Sequence, residues 1–133
     1  MSANLSKTPP TTRLLVVDNE TVIRRLLTMY LEHSGFACDV AASGEEALAL
    51  LSERPARFRA VITDLQMPDM DGLQLASLVQ ERFPGLKVLI VSGTDSPPSA
   101  RILQEIGNTS FLHKPVTRVK LVDSLRGLLG VEA

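Results

Sequence analysis

The sequence predicts an α/β fold: a five-stranded parallel sheet in the order 2-1-3-4-5, doubly wound, with helices on both faces. Three observations point there. Strand-like and helix-like segments alternate five times with short connections from Arg13 onward, and five βα units in a row imply a parallel sheet with right-handed crossovers. The first, third and fourth strand segments are continuously apolar, as suits strands covered on both faces. The second alternates Phe36, Cys38 and Val40 with smaller or polar residues, which fits an edge. The resulting switch point, where open α/β sheets bind ligands, falls between strands one and three.

The strand segments are Arg13–Val17, Phe36–Ala41, Arg59–Thr63, Lys87–Val91 and Thr109–Leu112. Between the first two, Ile23, Leu26, Leu27, Tyr30 and Leu31 recur at helical spacing, and Gly35 supplies a left-handed stop. Ser43-Gly44-Glu45-Glu46 has the form of a capping box opening the second helix, which Pro55 closes. The third helix runs from about Gly72 to Phe83 and ends at Pro84-Gly85. Ser96-Pro97 reads as a cap with proline in the first turn of a short fourth helix that stops at Gly107. Thr117 caps the last helix, whose buried stripe is Leu121, Val122, Leu125, Leu128 and Leu129.

At 133 residues the chain suits one domain with a substantial core. Met1–Thr12 is short and polar and contains Pro9-Pro10, so it reads as a disordered leader before a single domain over residues 13–130. A net charge of −1 offers no basic face for nucleic acid. No apolar run approaches membrane-spanning length, and the start lacks a signal peptide's apolar core. The single cysteine, Cys38, excludes an internal disulfide and is consistent with a reducing compartment. The expectation is a soluble cytoplasmic protein that binds neither nucleic acid nor membrane directly.

Chemistry gathers at the strand tips. Leu14-Leu15-Val16-Val17 runs into Asp18, Ala60-Val61-Ile62-Thr63 into Asp64, Val88-Leu89-Ile90-Val91 into Ser92, and Phe111-Leu112-His113 into Lys114-Pro115. Two carboxylates, a hydroxyl and an ammonium at one sheet edge suit a divalent metal and a phosphoryl group. An aspartate can attack phosphorus made electrophilic by a metal and flanking cations, forming a mixed anhydride. Mg²⁺ takes hard oxygen ligands and few carboxylates. Asp18 and Asp64 supply these, and the backbone carbonyl of Gln66 lies two residues past Asp64. Lys114 is a compact cation for Asp64 and then for a phosphoryl oxygen, to which the Ser92 hydroxyl can also donate. Pro115 makes Lys114-Pro115 a candidate cis peptide.

Val16-Val17-Asp18-Asn19-Glu20, Thr63-Asp64-Leu65-Gln66-Met67-Pro68-Asp69-Met70-Asp71-Gly72, Val91-Ser92-Gly93 and His113-Lys114-Pro115 resemble the motifs of receiver domains of two-component response regulators. The resemblance covers Arg13 to about Leu129 in the right order. It implies a flavodoxin-like fold and phosphotransfer to Asp64 from a phosphohistidine on a sensor histidine kinase or histidine phosphotransfer protein. It also implies Ser92 as the hydroxyl switch, Phe111 as the switch aromatic and Lys114 as the family's lysine. No effector domain is visible, so output is expected through contacts with another protein, unless the chain is a piece of a larger regulator or hybrid kinase.

One position departs from that pattern. Receivers usually carry two consecutive acidic residues after strand one, the second a metal ligand, and here that residue is Asn19. A carboxamide oxygen can coordinate, but one charge is missing and weaker Mg²⁺ binding is the expected direction. Glu20 is either a substitute or a solvated residue favoured by the helix dipole. Taken singly, the site residues have plain readings: Asp18 and Asp64 as caps or turn residues, Ser92 as a loop hydroxyl, Lys114 as a surface lysine and Phe111 as core. Met67 and Met70 read as packing residues, Ile23 as buried or partly exposed for docking, and neither His33 nor His113 as a phosphoryl donor.

Other functions fit less well. Haloacid-dehalogenase-type phosphatases also use an aspartyl nucleophile with Mg²⁺, but they need a second aspartate two residues on, which Asp64-Leu65-Gln66 and Asp18-Asn19-Glu20 both lack. A flavin carrier of the same topology needs a phosphate loop and stacking aromatics, and the chain has no Trp. The chain therefore reads as a signalling phosphoacceptor rather than an enzyme. The remaining alternative is a pseudo-receiver, an interaction module with weak or no phosphorylation because of Asn19.

Overall fold

In a computed structural model, residues 12–130 form five parallel strands in the order β2-β1-β3-β4-β5, with five helices. The strands are β1 (Arg13–Val17), β2 (Ala37–Ala41), β3 (Ala60–Asp64), β4 (Lys87–Ser92) and β5 (Thr109–His113). The helices are α1 (Thr21–His33), α2 (Gly44–Glu53), α3 (Gly72–Arg82), α4 (Ala100–Ile106) and α5 (Arg118–Leu129). The expected leader lies outside the described residues but for Thr12, whose carbonyl accepts from the Ala37 N–H at 2.9 Å. Among the described residues, no helix is long and apolar enough to cross a membrane.

Strand alternation divides the core into two layers. Leu14, Val16, Ala60, Ile62, Leu89 and Val91 face α1 and α5 through Leu27, Leu31, Leu121 and Leu125. Leu15, Val17, Val61, Val88 and Ile90 face α2 and α3 through Ala47, Leu51, Leu75 and Val79, with Leu103 and Ile106 of α4 beside them. The central strands are buried on both sides, which is why their interiors are apolar up to the tips, with Thr63 the buried polar exception beside Asp64. As the alternation of Phe36, Cys38 and Val40 foretold, β2 lies at an edge, and Val40 is 45% exposed.

Local signals set the helix ends. Gly35 takes φ +96°, and the N–H groups of Gly35 and Phe36 return to the carbonyls of Glu32 and Leu31, a Schellman stop for α1. The Ser43 hydroxyl caps α2 by accepting from the Glu46 N–H at 3.1 Å. The Glu46 carboxylate accepts from Ala42 rather than Ser43, so the expected box closes one residue early. A reciprocal box occurs instead at Asp71 and Gln74, at the start of α3. The fourth helix also differs from expectation: Ser99 caps it by accepting from the Ile102 N–H, and it begins at Ala100. Ser96 and Pro97 each precede a proline, which steers both away from helical backbone, so the helix starts only after Pro98. Thr117 caps α5 as expected, accepting from the Lys120 N–H.

Candidate functional site

The sheet order brings the tips of β1, β3, β4 and β5 side by side, and with them Asp18, Asp64, Ser92 and Lys114. The strands run one residue further than the sequence suggests at three tips, so Asp64, Ser92 and His113 are terminal strand residues. Asp64 pairs in register with Val91, and Ser92 with His113. Asp18 extends the β1 ladder by donating its N–H to the Ala41 carbonyl at 3.1 Å.

Alternation then sorts the side chains. Asp18, Asp64 and Lys114 share the parity of the layer facing α1 and α5. Ser92, Phe111 and His113 share that of the layer facing α2, α3 and α4. Asp18 is 1% exposed and the Asp64 side chain 10%. Lys114 Nζ stands 4.0 Å from Asp64 Oδ1, while its backbone N–H donates to the Ser92 carbonyl at 2.9 Å. The Lys114–Pro115 peptide bond is cis.

Burial is the largest influence on both carboxyls and raises both pKa values above the ordinary carboxylate value. For Asp18, the Glu20 backbone N–H, donating to Oδ1 at 2.8 Å, and the Lys114 charge pull the other way, while Asp64 and Glu20 push further up. For Asp64, Lys114 and the backbone N–H groups of Gln66 and Leu65 oppose burial, and Glu20 adds to it. Two buried carboxylates against one ammonium leave the site short of positive charge. These hard oxygen donors fit Mg²⁺, which commonly takes only one or two carboxylates. Among the described residues, no group of three His, Cys, Asp or Glu side chains is placed to hold a metal, in keeping with Asn19 at the usual second acid.

Asn19 is exposed and lines a cleft of about 120 Å³ with Ser43, Gly44, Pro68 and Met70. Glu20 is exposed, precedes α1 and makes no capping bond through its side chain. Gln66 is exposed in the β3–α3 loop. Met67 and Met70 pack against the core, as their packing reading expects. Ile23 is half-buried, and its neighbour Val22 is the exposed one, at 75%.

Four contributors were not expected from the sequence. The Arg24 guanidinium donates to the Asp18 carbonyl at 2.6 Å, tying α1 to the β1 tip. The Thr94 N–H donates to Ser92 Oγ at 3.2 Å. His113 touches Thr94 and Lys114 through backbone carbonyls, and Gly72 lies against the Asp64 backbone. Arg24 was legible only as a cation six residues past Asp18; Gly72 and His113 stand within the motifs quoted above, but their contacts, like that of Thr94, need the fold.

Residues 14–126 match the family described as response regulator receiver domain. The chain belongs to the response regulator receiver domain family. Receiver domains are signalling domains rather than classical enzymes. This receiver is 36% identical over 115 residues to an NtrX-like response regulator of Rickettsia felis, covering 85% of the chain and 24% of that relative. It is 36% identical over 112 residues to the transcriptional regulatory protein GlrR of Escherichia coli, covering 84% of the chain and 25% of the relative. It thus spans about a quarter of the length of these two relatives. Among solved structures, it superposes on chemotaxis protein CheY4 of Vibrio cholerae with a TM-score of 0.80 and 28% identity, covering 90% and 99% of the two chains. A chain of the CheX–CheY–BeF3–Mg²⁺ complex from Borrelia burgdorferi gives a TM-score of 0.82 and 26% identity, with 88% of each chain covered.

Proposed function

We propose that this receiver is a phosphorylation-dependent switch that accepts a phosphoryl group onto Asp64 with Mg²⁺ and thereby alters a protein-interaction surface. The observation that carries this reading is the nearly buried Asp64 carboxylate at the β3 tip, facing Lys114 Nζ at 4.0 Å. The donor is a phosphohistidine on a sensor histidine kinase or histidine phosphotransfer protein. An Asp64 carboxylate oxygen attacks phosphorus, the P–N bond breaks, and its electron pair returns to the donor imidazole. Asp18, Asp64 and the Gln66 backbone carbonyl would hold the metal, and the Asn19 carboxamide would be a neutral donor beside them. When bound, Mg²⁺ supplies positive charge against the phosphoryl oxygens. Lys114 stabilises the charge that builds on another of those oxygens, and Ser92 donates its hydroxyl to a third once its present tie to Thr94 loosens.

Ser92 and Phe111 then form the moving parts. Ser92 is buried at the β4 tip, and Phe111 is half-buried on the same face of β5. Drawing Ser92 inward vacates space for the Phe111 ring. Beryllofluoride with Mg²⁺, an acyl-phosphate mimic, is expected to shift amide resonances along α4, β5 and α5 in the wild type. In Ser92→Ala, the mimic should bind while that surface response shrinks. A silent surface with the mimic bound would leave Phe111 a core residue and refute the coupling.

The pseudo-receiver alternative rests on Asn19. Asn19→Asp is expected to tighten Mg²⁺ binding and to speed phosphorylation when metal is limiting, because it adds a third negative charge beside Asp18 and Asp64. The same added repulsion should leave stability in chelator equal or lower. A Mg²⁺ titration of both proteins with thermal melts in chelator checks this, and tighter binding by the wild type would contradict the charge argument.

A further inference from the structure

Both ring nitrogens of His113 face backbone carbonyl oxygens. Nδ1 lies 2.6 Å from the Lys114 oxygen, and Nε2 lies 3.0 Å from the Thr94 oxygen. A carbonyl oxygen only accepts. A neutral imidazole has one N–H and one lone pair, so either neutral tautomer sets its lone pair against one of these oxygens. Imidazolium donates to both. The ring therefore bridges the β4–α4 loop and the end of β5, and the bridge is complete only in the charged form.

The two ends of that bridge are the parts the switch must move. The Thr94 whose carbonyl is held is the residue whose N–H holds Ser92 Oγ at 3.2 Å. The His113 ring also meets the Phe111 ring edge-on, with centroids 6.2 Å apart. No carboxylate pairs with His113 among the described residues. The surrounding charges are Asp95, which follows Thr94, and Lys114, whose ammonium is turned to Asp64. On the helix packed over this face of β5, Arg101 and Glu105 pair with each other at 3.3 Å. Among the described residues, the two carbonyls are the hydrogen-bond partners of the ring.

We propose that His113 is a positioning residue of the switch: as imidazolium it ties the Thr94 carbonyl to the Lys114 carbonyl and holds Ser92 and Phe111 in their resting places. The inference rests on the proposed switch for its consequence, but not for the bridge itself. The doubly donating form favours the resting loop, and loss of a ring proton releases one anchor and eases the move of Ser92 toward a phosphoryl group. His113→Leu removes the bridge at every pH.

The test has two arms. In the unphosphorylated wild type, ring ¹⁵N spectra recorded over a pH series should show both His113 nitrogens protonated at the acid end. The Thr94 and Ser92 amide resonances should titrate in step with the ring, and their transition should vanish in His113→Leu. A ring that is a single neutral tautomer throughout, or amides that ignore its titration, would overturn the proposal, and the wild-type spectra alone decide this. In the second arm, beryllofluoride with Mg²⁺ is titrated into both proteins at pH values on the acid and alkaline sides of the ring transition found in the first. His113→Leu should bind the mimic about three- to tenfold more tightly than the wild type at the acid end, the scale of one charged hydrogen bond, and nearly equally at the alkaline end. Equal binding at both ends would refute the role in switching. If neither protein binds the mimic at all, the phosphoacceptor reading falls, and the first arm decides the bridge by itself.

Discussion

Asp64→Asn is expected to take up no phosphoryl group from a small acyl-phosphate donor and to melt higher than the wild type in chelator. The first result follows from position. Asp64 is the carboxylate that ends a central strand and faces the Lys114 ammonium, whereas Asp18 is 1% exposed with one oxygen already accepting from the Glu20 N–H. The second follows from charge. Burial is the dominant influence on both carboxyls and raises both above the ordinary value of 3.8. Between that value and the raised one, the folded chain holds more protons than the unfolded chain, so stability falls as pH rises through the window. Above the window the penalty persists in full. Acidifying the metal-free protein from neutral pH toward the ordinary carboxylate range should therefore raise its melting temperature. The rise should be smaller in Asp64→Asn, which has already lost one of the two charges. Intact-mass spectra and melts against pH check both results, and label carried by Asp18 would contradict the assignment.

Gly72→Ala is expected to damage the fold and the site together. A Cβ at Gly72 would stand 2.6 Å from the Asp64 carbonyl oxygen and 3.0 Å from the Leu65 Cα. Those atoms are backbone and cannot rotate aside, and the Gly72 N–H donates to the Leu65 carbonyl at 2.8 Å, fixing the two segments against each other. The start of α3 must therefore move away from the β3 tip. A loss of about 1–3 kcal/mol is the scale of overpacking at such a place. The same shift displaces Asp64 from Lys114, so phosphoryl uptake should slow well beyond what the stability loss alone explains. Denaturant unfolding and initial rates of uptake under fully folded conditions separate the two effects. Wild-type rates in a destabilised variant would show that the close approach serves the fold alone. By contrast, an alanine at Gly127, where no atom lies within 4 Å, should be tolerated.

The sheet and its site edge were legible because burial leaves so little freedom. A strand covered on both faces is almost wholly apolar, so the first charged or hydroxyl residue past Val17, Thr63 or Val91 marks a tip. Strand order followed from the one segment that alternates. At the fourth helix Ser96-Pro97 satisfies a capping pattern locally, while Pro98 forbids the helical backbone that pattern needs. The box at Asp71 and Gln74 is plain only in the structure, where each side chain accepts from the other residue's backbone N–H. His113 read only as an unsuitable phosphoryl donor. Its partners are backbone carbonyls on two loops, a relation that side-chain spacing along the chain does not encode. The same holds for Arg24, which is recognised as an anchor for Asp18 only once α1 is folded back over the β1 tip.

The proposed switch requires Asp64 to be a working phosphoacceptor despite Asn19. The most direct measurement is the intact mass of the wild-type protein after incubation with an acyl-phosphate donor, with and without millimolar Mg²⁺. The predicted result is a gain of one phosphoryl group per chain that requires metal, is lost on hydroxylamine treatment and is absent from Asp64→Asn. No mass gain by the wild type at any Mg²⁺ concentration, in a protein that circular dichroism shows to be folded, would contradict it and leave this receiver an interaction module.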